Sequence, residues 1–207
     1  MNEEHKSWTL DDTSIASNPG NLDVNLVRCF CHYPKWPMIW FLSLVLFVAL
    51  ACLFHWTCWI VSLLLLAINW FYWQRVRDHF RKGCANPAVI VSLEPMLIAV
   101  STDLTKGIGE YPVVKIIKKY LPTACGQVPL VGARLPAVAL YQPSPDEDLP
   151  HWADFDPRPI DCATGDVDAM QAVMSTFTED DWNELTLWLE QVPRPFRCGL
   201  YHVQASE

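Results

Sequence analysis

No charged residue interrupts the chain from Pro37 to Trp73. A straight helix over that run would be about 55 Å long, far beyond the ~30 Å hydrocarbon core of a bilayer. The run therefore divides into two short spans, near Pro37–Leu53 and Cys58–Trp73, each roughly 25 Å long. Aromatic residues gather at three points: Trp36, Trp40 and Phe41; then Phe54, Trp56 and Trp59; then Trp70, Phe71, Tyr72 and Trp73. Such rings prefer the headgroup level of a membrane, so three belts imply two crossings with the middle belt at the far interface. His55 and Thr57 make that middle belt the most polar point of the run. The turn has neither Gly nor Pro, which leaves a kinked re-entrant pair open. A buried hairpin in a soluble core is the other reading, but core helices seldom run this long without a charged face.

After Gly83 the pattern changes to short apolar runs rich in β-branched residues and broken by prolines. Ala88–Leu93, Met96–Ser101, Tyr111–Leu121, Arg134–Gln142, Pro159–Ala163 and Gly199–Val203 read as strands. Pro136 places its strand at an edge or a bulge. Asp166 can cap a helix running to about Thr176. Thr178 opens a second with a capping-box spacing to Asp181, and Trp182, Leu185, Leu189 and Val192 recur on one face. Pro193 ends it. The predicted fold is α+β: a two-helix transmembrane hairpin, then a small β-barrel-like or bent-sheet domain with two C-terminal helices.

Charge sharpens this division. Residues 1–27 carry five acids and one base, residues 28–82 six bases and one acid, and residues 85–207 eight bases and 17 acids. The chain thus divides into a polar, disordered tail (1–35), the hairpin (36–74), a basic juxtamembrane linker (75–83) and an acidic domain (84–207) expected to fold alone. Bases flank both spans while the connecting turn has none, so both termini are expected on the cytoplasmic side. Trp36, Trp40, Trp56, Trp59, Trp70, Trp73, Arg75 and Arg77 are the expected interface residues. The eight cysteines have no framework spacing, and two lie in the apolar run, which fits a reducing compartment. An acidic domain repels phosphates and argues against a nucleic-acid partner.

The run NPAVIVSLEPMLIAVSTDLTKGIGEYPVVKI, with VPLVGARLPAVALY and DLPHWADFDPRPIDC further on, resembles the family of the domain of unknown function 3239 over residues 84–203. The resemblance implies a bacterial protein and a domain found in several membrane-anchored contexts, and implies no catalytic residue; with the charge pattern, the expected location is the bacterial inner membrane.

Candidate chemistry is sparse. Asp146, Asp148, His151, Asp154 and Asp156 put hard-cation ligands into one proline-framed acidic segment, 146–161, although the EF-hand spacing is missing. A solvated acidic loop is the simpler reading. Trp152 and Phe155 inside it either pin it to the core or offer a contact surface. Lys106-Gly107-Ile108-Gly109 lacks the spacing of a phosphate loop. Cys29-Phe30-Cys31-His32 offers soft ligands without a second pair, or acylation sites beside the membrane. Glu94, Asp103, Glu110, His151 and His202 are the remaining groups that could converge. No cofactor is expected. The leading reading is a non-enzymatic interaction or scaffold domain, whose partners are the bilayer, a protein at the cytoplasmic face, and a second copy through the hairpin. The rival is a membrane-tethered metal-dependent hydrolase using the acidic segment.

Overall fold

The computed structural model describes residues 16, 18–106, 110–144 and 149–204. Helix α1, Leu26–His32, is capped by Asn25, whose side chain accepts the Arg28 N–H, and it buries Cys29. Leu22 just before it is buried too. A disordered tail reaching to residue 35 is therefore corrected over this stretch: Leu22 and Cys29 find a core to enter.

Helices α2, Lys35–Leu53, and α3, Cys58–Lys82, are joined by a short turn and pack against each other. The helix pair is as expected, but only α2 has the length and composition of a membrane span. The charge-free part of α3 is only the 16 residues from Cys58 to Trp73, and the helix does not stop there. It continues through Arg75, Arg77, Asp78, Arg81 and Lys82 while burying Val76, His79 and Phe80. The expected linker over 75–83 is thus helix as far as Lys82. Its charges occupy one face, and positions 76, 79 and 80 form a stripe at helical spacing on the other. Gly83 ends the helix where no side chain fits: a Cβ there would collide with the His79 carbonyl and lie 2.7 Å from Val138.

The sheet is fully antiparallel, in the order β5-β4-β1-β2-β3-β6. Its strands are β1 Cys84–Leu93, β2 Met96–Asp103, β3 Pro112–Lys118, β4 Arg134–Gln142, β5 Asp154–Pro159 and β6 Gly199–His202. Ile90, Ile98, Val100, Val113, Leu135 and Phe155 fill the inner face, and Tyr33 packs against that cluster. The alternate residues Leu97, Ala99, Val114 and Ile116 pack under Trp188 and Val192, so β2 is buried on both faces. A second cluster joins Leu22, Cys29, Val76 and Phe80 to Val138, Ile160, Met170 and Val173. Helices α4, Val167–Met174, and α5, Glu179–Glu190, have the expected caps: Asp166 accepts two backbone N–H groups, and Thr178 and Asp181 form the capping box.

Two strand expectations need correction. β4 is not an edge, because β1 and β5 flank it. Pro136 is tolerated because it faces Pro87 across the β1–β4 ladder, while the β4–β5 ladder begins only at Ala137 and the β1–β2 ladder only at Ala88. Neither proline sits where a ladder N–H is required. The fifth strand is Asp154–Pro159, and Ile160–Cys162 forms a 3-10 turn. Acids and prolines hid its alternation, with Phe155, Pro157 and Pro159 inward and Asp154, Asp156 and Arg158 partly exposed.

The sheet curls strongly. Lys115 on β3 reaches Asp154 on β5, with three strands between them in sheet order, and its Nζ lies 2.8 Å from both carboxylate oxygens and 2.5 Å from the Phe155 carbonyl. Both partners are largely shielded, so this charged clasp closes the open side of the half-barrel. Lys115→Met is expected to destabilise the protein by about 2 kcal/mol, the scale of hydrogen bonds to a charged group. Urea denaturation of the detergent-solubilised chain checks this, and an unchanged midpoint would mean that the core alone sets the curl.

The two ends of the half-barrel differ. Lys119 Nζ donates to the His32 carbonyl at 2.6 Å and lies over the Tyr33 ring. Arg28 bonds the Asp161 carbonyl. So α1 sits at the end that holds the β1–β2 turn and the β3–β4 connection, and α2 leaves from that end. The β2–β3 and β4–β5 loops lie at the opposite, distal end.

Candidate functional site at the distal end

Two loops zip together there. Lys106 N–H donates to the Pro150 carbonyl, and Trp152 N–H to the Leu104 carbonyl, both at 2.7 Å. Asp103 fastens its own loop: Oδ1 accepts from Thr105 N–H (2.8 Å), the Thr105 hydroxyl (2.6 Å) and Tyr111 N–H (3.0 Å). This brings the Tyr111 ring flat onto His151, with centroids 3.8 Å apart, and edge-on to His202 at 5.2 Å. His151 Nδ1 lies 2.9 Å from the Trp152 carbonyl, so that nitrogen carries the proton.

Beside this aromatic cluster lies a cleft of about 520 Å³, with Asp103, Glu110 and Pro112 on one wall and Asp180, Asn183, Glu184 and Trp188 of α5 on the other. Burial, and then the neighbouring carboxylates of Asp181, Asp180, Glu110 and Asp103, push the Glu184 carboxyl above its ordinary range. Four acids around one concavity make a place for cationic groups.

The structure separates most of the sequence candidates. Asp146 and Asp148 lie outside the described residues. Asp154 is held by Lys115, and Asp156 accepts from Arg158 at 3.0 Å. His151 stands on Tyr111. Among the described residues, no group of three His, Cys, Asp or Glu is placed to hold a metal ion. Trp152 is half-buried with Lys106 over its ring, and Phe155 is fully buried, so both pin the segment to the core. Gly107 to Gly109 lie outside the described residues. In α1, Cys29 is buried, and burial pushes its thiol up to about 11, whereas Cys31 is exposed. Asp103, Glu110, His151 and His202 do share the distal end, while Glu94 sits in the β1–β2 turn at the other. Of the expected interface residues, Trp36, Trp56, Trp59 and Trp70 are exposed on the helix pair. Trp40 is half-exposed there, Trp73 packs on the second core cluster, and Arg75 and Arg77 are exposed on α3. The contributions of Tyr111, Asp180 and Glu184 had no sequence signal, because these residues come from segments far apart in the chain.

Fold and site define a class: a small α+β domain on a curled antiparallel sheet, borne by an apolar helix pair, with an acidic cleft at the end away from that pair. The chain belongs to the family described as protein of unknown function DUF3239, whose model matches residues 73–192. The match begins inside α3, so the family unit includes the helical stretch that buries Val76 and Phe80. A crystal structure described as that of a "putative membrane protein" from Corynebacterium diphtheriae is similar, with 20% identity and a TM-score of 0.45, over 57% of this chain and 99% of that chain. No curated protein matches the chain.

Proposed function

We propose that the chain is a two-pass, membrane-anchored interaction module. In this reading the α2–α3 pair crosses a bacterial inner membrane, both ends lie in the cytoplasm, and the sheet domain is displayed there as a non-enzymatic scaffold. The observation that carries it is the apolar surface of the helix pair. Phe41, Leu42, Val45 and Leu46 on α2, and Leu63, Leu64, Leu66 and Trp70 on α3, are each more than half exposed. A continuous surface of this kind suits hydrocarbon and not water. The apolar part of α3 spans only about 24 Å, a shortfall that snorkelling by Arg75 and Arg77 and local thinning can meet. Bases at both near ends and an uncharged far turn support the orientation. The same apolar faces offer a route to self-association.

The scaffold reading draws on how the domain spends its polar groups. Asp103, Asp154, Asp156 and His79 each fasten backbone or a neighbouring cation. The acidic cleft then favours a partner that presents a cationic segment. Topology is tested in intact cells with an impermeant thiol reagent. Thr57→Cys is expected to label from outside, and Cys198 only after permeabilisation. Labelling of position 57 from the cytoplasmic side would instead indicate a re-entrant pair, and labelling of Cys198 in intact cells would reverse the orientation.

A further inference from the structure

The β3–β4 connection, residues 119–133, carries an unusual surface for an acidic domain. Tyr120, Val128, Leu130 and Val131 are 73%, 78%, 64% and 62% exposed. No acid occurs between Glu110 and Asp146, whereas Lys115, Lys118, Lys119 and Arg134 do. The side chains are not loose ends of a floppy loop. Ala124 and Gln127 exchange backbone hydrogen bonds, Gly132 N–H donates to the Ile90 carbonyl, Ile90 N–H donates to the Ala133 carbonyl, and Leu121 is buried. The frame is fixed to the sheet, and it holds the apolar side chains outward.

The position of this frame says what covers them. Lys119 bonds the His32 carbonyl and caps the Tyr33 ring, and Pro34 next to it precedes the first turn of α2. Tyr120 therefore stands beside the point where the apolar helix departs. Leu93, the last residue of β1 at the same end, adds a further exposed apolar side chain, and Glu94 beside it is the one exposed acid of the β1–β2 turn. An aromatic ring, aliphatic side chains and an exposed lysine, Lys118, at one level are the makeup of a surface that meets headgroups and the upper acyl chains.

We propose that the β3–β4 connection is a second membrane contact, in which Tyr120, Val128, Leu130 and Val131 enter the interface of the leaflet from which α2 departs, with Lys118 facing anionic headgroups. The domain is then seated on the bilayer by its proximal end, and the acidic cleft is turned away from it. This rests on the membrane reading of α2. The test uses the full chain in vesicles of phosphatidylcholine and phosphatidylglycerol, with a photo-crosslinking phenylalanine analogue placed singly at Val128, Val131, Leu46 or Lys106. Lipid adducts are expected at Leu46, Val128 and Val131, with loss of adduct at Lys106. Adducts at Leu46 but at neither Val128 nor Val131 would overturn the second contact and leave the hairpin reading intact. No adduct at Leu46 would sink the hairpin reading itself. Crosslinks from Val128 and Val131 to a second chain in place of lipid would overturn the proposal in favour of a protein interface. Two exposed positions are used so that misfolding at one does not decide the result.

Discussion

A fragment that begins at residue 84 is expected to be molten or aggregated, although its strands and helices are all present in it. Its sequence suggests an independent domain, but the structure places part of the core upstream. Leu22, Cys29, Val76 and Phe80 are buried against Ala85, Val138, Ile160 and Met170, and Tyr33 packs against the main cluster. Burying an aliphatic or aromatic side chain contributes roughly 1.5–3 kcal/mol, so the loss of Leu22, Tyr33, Val76 and Phe80 is of the order of 6–12 kcal/mol, comparable to the whole stability of an ordinary domain. Phe80 is fully buried, and Phe80→Ala in the full chain should alone cost about 3–5 kcal/mol. A second fragment, with residues 34–73 replaced by a flexible linker, keeps all five residues and should melt cooperatively. Calorimetry on both fragments decides. A cooperative melt from the shorter one would mean that the upstream helices are only docked on a complete domain.

Two buried groups should pull the pH dependence of stability in opposite directions, so that two variants slope opposite ways. Asp161 is fully buried: Oδ1 accepts the Cys125 N–H at 2.9 Å, and Oδ2 has no partner among the described residues. Burial pushes its carboxyl up from 3.8 to about 6. The native state thus keeps a proton that the unfolded chain has released, and stability falls as pH rises through that window. His79 is buried with Nε2 2.9 Å from the Val138 carbonyl. Burial, and then the Arg158 charge, push it down from 6.5 to about 4. Here the unfolded chain takes up a proton that the native state refuses, so stability falls as pH drops from 6.5 towards 4. The two effects oppose one another over nearly the same range, each on the order of 3 kcal/mol when complete. Asp161→Asn should expose the His79 slope and lose stability on acidification. His79→Gln, which keeps a donor for Val138, should gain stability on acidification. Urea midpoints of the three solubilised proteins between pH 4 and 7 measure this, and parallel profiles would show that neither group titrates as argued.

Local chemistry was legible wherever it depends on neighbours in sequence. The caps at Asp166 and Thr178 and the buried face of α5 are encoded within a few residues. The apolar helix pair is encoded by the charge-free run. The stripe of Val76, His79 and Phe80 also stands at helical spacing, but it went unread because the bases between its members read as a linker. β5 was displaced for a similar reason: its outward positions carry Asp154, Asp156 and Arg158, and the acids suggested a loop.

By itself, then, the sequence determined an apolar hairpin, an α+β domain after it, the helix caps and the separation of basic from acidic segments, because each follows from periodicity or charge over a short stretch. Only the tertiary structure decided that α1 and the end of α3 belong to the domain core and that Pro136 is tolerated in an inner strand. It also decided that Lys115 clasps Asp154, and that Tyr111, His151 and His202 meet beside four acids. These depend on how tightly the sheet curls and on which segments it brings together, and that curl is settled by packing on both faces at once, which no single stretch of sequence records.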